Sequence, residues 1–175
     1  EPASFFDPGW MFGLNPNGNA GGPTKEGGVF GIVIGNPPYV RQEELKSRIV
    51  MGSDGKERPL KDALKDHYEC YTGTADLYVY FFERSLQLLR TGGVPAKDGA
   101  VPRQAGRPGG EAIGGGVLSF ITSNKYFRAA YGEPLRRYLA YATRPSAALD
   151  FGDAPVFTSI AYPAIFVTQK IRHVD

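Results

Sequence analysis

An early tetrapeptide, Asn36-Pro37-Pro38-Tyr39, combines groups that could activate an amino group for chemistry. The carboxamide oxygen of Asn36 and the backbone carbonyl of Pro37 are both hydrogen-bond acceptors. Two acceptors that take both N–H bonds of an exocyclic amino group draw its nitrogen towards sp³ geometry, so its lone pair becomes nucleophilic without deprotonation. The prolines hold these acceptors in place before a substrate arrives, and the Tyr39 ring offers a flat face for stacking a planar base.

The tetrapeptide also has a plainer interpretation, in which Asn36 caps a following helix and the prolines only end a strand. The β-branched run over residues 29–34 predicts a buried strand. Two prolines can neither donate to a sheet ladder nor enter a helix interior, so this strand must end at about Asn36. Ligands of open α/β sheets bind at the carboxyl ends of the strands, which favours the chemical interpretation.

The later elements predict a sheet of alternating strands and helices. Thr74 is expected to cap a helix over residues 75–90, with Asp76 in its first turn. A second strand is predicted over residues 117–122, and Lys125 follows at its carboxyl end. The remaining pattern predicts a helix, a third strand and a closing hairpin, at residues 133–141, 147–151 and 156–170.

Two stretches between these elements are polar. Residues 41–66 are charged and predicted to be helical, with a break at Gly52-Ser53-Asp54-Gly55. Mixed charges of this kind are typical of a solvated face, although Arg41 and Gln42, directly after the tetrapeptide, could instead meet phosphates. Residues 94–116 are rich in Gly and Pro between two similar Gly-Gly-Val junctions. They predict a disordered surface insertion, with contact to nucleic acid as the alternative.

Composition limits the interpretation further. The 175 residues suffice for one domain, and neither a membrane-spanning run nor a signal peptide is visible. Cys70 is the only cysteine, so no intrachain disulfide can form, and a cytoplasmic location is expected. The spacing of His67 and Cys70 matches no familiar zinc site, so no metal is predicted. A net charge of +2 does not by itself indicate a nucleic-acid partner.

Several motifs together resemble one family. Residues 35–40 resemble the catalytic motif of S-adenosylmethionine-dependent amino-methyltransferases. The flanking segments narrow the resemblance to the Eco57I-type adenine-specific DNA methyltransferases, which include fused restriction–modification enzymes and phage-defence methylases. These segments occur in the family's order, at residues 5–13, 74–78, 116–127, 155–157 and 164–167.

The resemblance implies a methyltransferase that modifies N6 of an adenine turned out of double-stranded DNA. It assigns the catalytic role to four consecutive residues: Asn36, Pro37, Pro38 and Tyr39. It also implies that the Phe157 ring stacks on the extruded adenine opposite the Tyr39 side. Phe157 could alternatively be a core residue.

The resemblance further implies contacts with the methyl donor and the DNA. Asn36, Asp76 and Leu77 are expected to lie against S-adenosylmethionine, while Arg41 and Lys125 are expected to bind the substrate. The wider setting would be a restriction–modification or phage-defence system, in which a separate region recognises the DNA sequence.

The chain as a whole (residues 1–175) is expected to be part of a single methyltransferase catalytic domain. Its fold class is α/β: a partial Rossmann-like sheet of parallel strands with a closing antiparallel hairpin, flanked by helices. A complete enzyme also needs an earlier strand, Gly-rich turn and helix for the cofactor, and no such unit precedes Gly35. We therefore expect the cofactor-binding half to be missing and the piece to be inactive alone. The rest of the methyltransferase chain and a target-recognition domain are its expected partners.

Two other functions are compatible with the sequence. Methyltransferases that act on protein glutamine or RNA guanine use the same tetrapeptide, although the lead-in and the Phe157 segment favour DNA adenine. The second alternative is a non-catalytic DNA-binding remnant, which the missing cofactor-binding turn supports.

Overall fold

A computed structural model describes residues 28, 30–51, 55–92, 114–157 and 162–171. The aromatic residues that the sequence predicts to pack on the sheet lie outside these ranges: Phe5, Phe6, Trp10 and Phe12. Most of the 94–116 insertion lies outside them as well, and so do residues 158–161 of the turn predicted at 158–163. Within the described ranges, no helix is long and apolar enough to cross a membrane.

The main sheet combines parallel and antiparallel pairing. The described strands are, in chain order, β1 (Ile32–Gly35), β2 (Ile49–Met51), β3 (Glu57–Pro59), β4 (Val117–Ser123), β5 (Thr143–Asp150) and β6 (Pro163–Lys170). Four of them form one sheet in the order β1-β4-β6-β5. β1 and β4 are parallel, whereas β6 runs antiparallel to both of its neighbours. The predicted α/β sheet with a closing antiparallel hairpin is confirmed.

Helices connect these strands. They are α1 (Gln42–Lys46), α2 (Leu60–His67), α3 (Leu77–Leu88) and α4 (Glu133–Ala142), and a 3₁₀ turn at Asn124–Phe127 follows β4. Asp76 occupies the N-cap position of α3, so the predicted cap at Thr74 is wrong. The chain first makes a separate turn, in which the Ala75 N–H donates to the Thr72 carbonyl, and only then enters the helix.

The charged stretch 41–66 is only partly helical, which corrects the prediction. A small hairpin, β2 paired with β3, separates α1 from α2. The run Ile49-Val50-Met51 contains two β-branched residues, which suit a strand better than a helix. Gly55 has φ of +75°, a conformation that glycine adopts without strain and that a helix does not contain.

The end of the chain also differs from the prediction. β5 begins at Thr143, directly after α4, although the sequence predicted a strand from Ala147. Pro145 explains the difference, because a register irregularity between Pro145 and Ala147 accommodates a residue that lacks an N–H. The hairpin partner of β6 is β5, and Val156 lies in the loop between them.

One face of the sheet carries the core. The ring of Phe82 on α3 lies 5.1 Å from that of Phe120 on β4 and 6.2 Å from that of Phe166 on β6, measured between centroids. Phe82 is completely buried and the other two side chains are nearly so. Helix α3 is therefore fixed across the strands whose ends carry the predicted site.

The opposite face of the sheet is apolar and open. Ile32 and Ile34 point to this face and are 70% and 78% exposed, and Leu149 on β5 is 50% exposed. The register places Ile34 beside Ser119 and Leu149 beside Ile165 on the same side. In the described part of the chain, none of these residues is buried, whereas Leu118 and Phe120 on the other side are.

The ends of the glycine-rich insertion lie side by side. A Cβ atom added at Gly92 would come within 2.7 Å of the Gly115 backbone nitrogen, and the Gly116 N–H donates to the Arg90 carbonyl over 2.9 Å. The stretch therefore leaves and rejoins the fold at one point. That point is the amino end of β4, whereas Asn36 lies at the carboxyl edge of the sheet.

Candidate active site

The 36–39 loop follows β1 directly at the carboxyl edge of the sheet. Pro37 is buried, while Asn36 and Pro38 are exposed and Tyr39 is 37% exposed. The buried proline ring anchors the loop to the protein and leaves the Asn36 carboxamide accessible. Because β1 and β4 are parallel, the residues that follow β4 lie at the same edge.

Hydrogen bonds tie the chain after this loop to the start of α3. The Leu77 N–H donates to the Val40 carbonyl over 3.0 Å. The Gln42 N–H donates to Oδ1 of Asp76 over 3.1 Å. Asp76 and Leu77, which the family resemblance places near the cofactor, therefore adjoin the segment that carries Tyr39.

The charges around Asp76 bring two more predicted residues to the site. Burial raises the pKa of the Asp76 carboxyl, while the Gln42 N–H and the positive charges of Lys125 and Arg41 act in the opposite direction. Lys125 and Arg41 are both exposed. The two cations thus lie close enough to influence Asp76 while their side chains remain open to a ligand.

The rings of Tyr39 and Phe157 are neighbours. Their centroids lie 6.3 Å apart and their planes are inclined by 60°. The Tyr39 hydroxyl donates a long, 3.5 Å hydrogen bond to the Ile121 carbonyl. Partial burial raises the pKa of the Tyr39 phenol, so this group is neutral at physiological pH.

A polar clamp holds the loop that carries Phe157. Asn124 Nδ2 and the Gly152 N–H both donate to Oδ1 of Asp150, each over 2.9 Å. These two bonds lower the pKa of the Asp150 carboxyl. The Asn124 N–H also donates to the Tyr162 carbonyl over 2.8 Å, so Asn124 fixes both ends of the loop.

The His67–Cys70 stretch does not have the surroundings of a reactive site. Cys70 is completely buried, and burial together with the nearby Glu83 raises the pKa of its thiol far above the ordinary value. Its N–H donates to Oε2 of Glu83 over 2.8 Å. Across the described ranges, no group of three or more His, Cys, Asp or Glu residues could hold a metal ion.

A cavity of about 410 Å³ lies beside α4. Its walls come from that helix and from the segment before α3: they are formed by Glu69, Pro134, Arg137, Tyr138 and Tyr141. It contains none of the residues predicted to be functional, so the candidate site remains the sheet edge that carries the 36–39 loop.

Sequence reasoning missed the residues that support the site. Lys61 belongs to the stretch predicted to be a solvated face, but it is 8% exposed, and its ammonium donates to Oε1 of Gln42 and to the Gly73 carbonyl. One signal was available, because Lys61 lies three positions before the buried Leu64, on the same side of a short helix. The Asn124–Asp150 contact carried no local signal.

An accessible carboxamide on a stiff diproline loop, beside two aromatic rings at the carboxyl edge of an α/β sheet, is the kind of arrangement that enzymes use as a ligand site. A family model described as "Eco57I restriction-modification methylase" matches residues 6–95, just over half of the chain. The chain belongs to the Eco57I restriction-modification methylase family, as the motifs predicted.

Individual relatives agree with this assignment. The chain is 31% identical to the type II methyltransferase M.PaeR7I from Pseudomonas aeruginosa, over 82% of this chain and 19% of that protein. It is 29% identical to the type II methyltransferase M.XhoI from Xanthomonas vasicola, over 81% of this chain and 20% of that protein. It is 24% identical to the type II restriction enzyme and methyltransferase RM.Eco57I from Escherichia coli, over 82% of this chain and 11% of that protein. The chain thus spans one fifth or less of these relatives.

The chain is also similar to a solved structure. It comes from Listeria monocytogenes and is assigned to the class I S-adenosylmethionine-dependent methyltransferases. The TM-score is 0.45 at 14% sequence identity, and the match covers 85% of this chain and 33% of that one.

Proposed function

We propose that this chain is the carboxyl-terminal part of the catalytic domain of a site-specific DNA adenine N6-methyltransferase. The observation that carries the proposal is the accessible Asn36 carboxamide on the 36–39 loop, beside the Tyr39–Phe157 ring pair. Family membership supplies methylation as the class of reaction and restriction–modification as its setting. Phage defence is the related setting that the motifs suggest.

The chemical role of the loop is to make the adenine N6 nucleophilic. The Asn36 side-chain oxygen and the Pro37 carbonyl each accept one N–H of the amino group, which returns the nitrogen lone pair from the ring. Pro37 is buried, so the acceptors are held in place before the base arrives, and little reorganisation is needed during the reaction. No covalent enzyme intermediate is required, which agrees with the sealed position of Cys70.

The target adenine must leave the duplex to reach this loop, at a cost of a few kcal/mol. Tyr39 and Phe157 offer ring faces for the extruded base. Arg41 and Lys125 are exposed at the same edge, where they bind phosphates of the double-stranded DNA. Base stacking and phosphate contact then offset the cost of extrusion.

The methyl donor proposed for this site is S-adenosylmethionine. Its sulfonium is a cation, and the oxygen acceptors Asn36 and Asp76 at one sheet edge are chemically suited to a positive charge. Asn36, Asp76 and Leu77 would hold it, and when bound it would supply the methyl group that the N6 lone pair attacks; the methyl–sulfur bond would break to leave a neutral thioether, and the methylated nitrogen would release one proton to solvent. Partial burial of the Asp76 carboxylate strengthens its interaction with a cation.

The open face of the sheet supports an assembly with the rest of a methyltransferase chain. Ile32 and Ile34 leave an apolar surface uncovered beside β1, and exposed apolar faces of this kind are usually interfaces. We propose that the cofactor-binding half of the domain covers this face and that a separate target-recognition domain selects the DNA site.

Substitution of Asn36 tests the proposal. In the intact protein, Asn36→Ala should reduce methyl transfer from tritiated S-adenosylmethionine to unmethylated genomic DNA at least a hundredfold, because one of the two acceptors is lost. Ser146→Ala, an exposed position on β5, serves as the matched control and should retain wild-type activity.

The identity of the product tests the base assignment independently. Digestion of the methylated DNA to nucleosides, followed by mass spectrometry, should give N6-methyladenine.

Wild-type turnover by the Asn36→Ala protein would refute the role of the loop. Methylated cytosine in place of adenine, or label in protein or RNA alone, would refute the proposed substrate.

A further inference from the structure

We propose that Lys61 is a positioning residue for the methylation reaction: its buried ammonium joins the segment after the 36–39 loop to the segment before α3. This inference rests on the proposed function, because the loop that Lys61 supports is the one that carries Asn36. Lys61 touches neither the base nor the methyl donor in this scheme. It acts through Gln42.

The geometry of the contact is a bridge between two distant parts of the chain. Lys61 lies in α2, and its Nζ donates to Oε1 of Gln42 over 2.9 Å and to the backbone carbonyl of Gly73. Gln42 begins α1, three residues after Tyr39, and Gly73 lies three residues before Asp76. One side chain therefore joins the helix that follows the 36–39 loop to the segment that leads into α3.

The environment of Lys61 is unusual for a lysine. The residue is 8% exposed, whereas lysine is almost never buried without partners. Both acceptors are neutral oxygens, so the contact is a pair of charge-assisted hydrogen bonds and not an ion pair. Burial lowers the pKa of the ammonium, which means that the protein retains this charge at some cost.

The Lys61 hydrogen bonds add to two others that join residues 40–42 to the start of α3. The Gln42 N–H donates to Asp76 Oδ1, and the Leu77 N–H donates to the Val40 carbonyl. With Lys61, Gln42 is held from both its backbone and its side chain. Loss of Lys61 leaves the backbone contact and the bond from Gln42 Nε2 to Glu43, but frees Oε1 of Gln42 and the Gly73 carbonyl.

The diproline explains how this support reaches Asn36. Pro37 and Pro38 fix two successive φ angles, which leaves fewer rotatable bonds to absorb movement at Val40 and Gln42 before it reaches Asn36. Displacement of a catalytic group by about 1 Å can cost on the order of a hundredfold in rate. A partial loss of support should therefore lower turnover by roughly tenfold.

The test compares Lys61→Met with Lys65→Met in the intact protein. Methionine keeps most of the aliphatic chain and removes the donors, and Lys65 is an exposed residue of the same helix. Steady-state methylation of unmethylated genomic DNA should show kcat reduced roughly tenfold for Lys61→Met with KM for DNA within twofold. Lys65→Met should match the wild type in both constants.

A double-mutant cycle identifies the partner through which Lys61 acts. Gln42→Met removes the acceptor and should lower kcat by a similar factor. The double variant should be no slower than the slower single variant, within twofold, because both substitutions break the same Lys61–Gln42 hydrogen bond. Independent, multiplicative losses would overturn the proposed coupling.

Hydrogen exchange separates this inference from the proposed function. In Lys61→Met, the Gln42 and Leu77 amides should exchange at least tenfold faster than in Lys65→Met. Unchanged exchange with unchanged kcat overturns the role of Lys61, even if Asn36→Ala is inactive. A change in KM alone would indicate that Lys61 contacts phosphate, and it would also overturn the role of Lys61 as a positioning residue. Full activity of Asn36→Ala, with faster exchange in Lys61→Met, would instead overturn the proposed function. The structural support that Lys61 gives to this part of the chain would remain.

Discussion

At the scale of single residues, the Tyr39 and Phe157 rings are too close and too inclined to enclose a base as they stand. A planar base in contact with two parallel rings needs about 7 Å between the ring planes, since aromatic carbons approach to about 3.5 Å. The observed centroid distance is 6.3 Å with an inclination of 60°. The proposed binding of adenine between the two rings therefore requires at least one of them to turn.

Replacement of Phe157 should therefore weaken catalysis without changing the fold. Stacking of a base on an aromatic ring contributes about 1–3 kcal/mol, so Phe157→Ala should lower kcat/KM for DNA methylation by roughly ten- to a hundredfold. Phe151→Ala, at the start of the same loop and 37% exposed, is the matched control. If the two substitutions lower kcat/KM equally, Phe157 packs within the loop and does not stack on the base.

Residues of the site differ in how far the sequence could predict them. Asn36, Pro37, Pro38 and Tyr39 form a contiguous motif with a clear chemical meaning, so one short segment was enough to nominate them as candidates. Lys61 acquires its role from Gln42 and Gly73, which lie 19 and 12 positions away. The contact itself depends on these distant residues, and the one local signal was that Lys61 lies on the same side of α2 as the buried Leu64.

At the scale of elements, α3 organises the site through a buried carboxylate. Glu83 is 1% exposed and accepts hydrogen bonds from the N–H groups of Glu69 and Cys70, over 3.1 Å and 2.8 Å. These N–H groups belong to the turn after α2, where no helix or strand satisfies them. The carboxylate thus fixes the segment that leads to Gly73 and Asp76.

Removal of this carboxylate should destabilise the domain. Glu83→Ala leaves two backbone N–H groups without an acceptor and should lower the free energy of unfolding by about 2–3 kcal/mol. Glu57→Ala, on the exposed strand β3, should change it by less than about 0.5 kcal/mol. Urea-induced unfolding of the intact protein, followed by tryptophan fluorescence, measures both, and equal stability of the two variants would contradict the role of Glu83.

The elements themselves were predicted unevenly. Residues 117–122 and 133–141 match β4 and α4 within one residue at each end, because strong apolar patterns and the helix-initiating Pro134 define them. The β2–β3 hairpin was missed because its strands have three residues each. A strand of that length is too short to show an alternation of apolar and polar residues, and charged residues surround both strands. Pro145 hid the start of β5, since proline is normally evidence against a strand.

At the scale of the whole molecule, the part of the chain that the structure describes covers only one face of the sheet. Leu118, Phe120 and Phe166 are buried under α3 and its neighbours, while Ile32, Ile34 and other residues of the opposite face are not. Strand β1 pairs with β4 along one edge. The described part of the chain therefore positions the reactive loop but leaves an apolar surface that a further layer of protein would cover.

A charge on this surface tests whether it is covered in the intact protein. Ile34→Lys should lower the free energy of unfolding by about 2 kcal/mol or more, because burial of an isoleucine contributes about 1.5–3 kcal/mol and a buried lysine is unfavourable. Ile49→Lys, on the exposed small hairpin, should change it by less than about 0.5 kcal/mol. Comparable urea midpoints for the two variants would mean that the face is open to water.

The central position of β6 has a consequence for synthesis of the protein. β4 and β5 are both paired with β6, and neither is paired with the other. A nascent chain therefore carries two strands without this shared partner until Lys170 has left the ribosome. Translation that stops at the β5–β6 loop yields a product that contains the complete tetrapeptide yet cannot close its sheet.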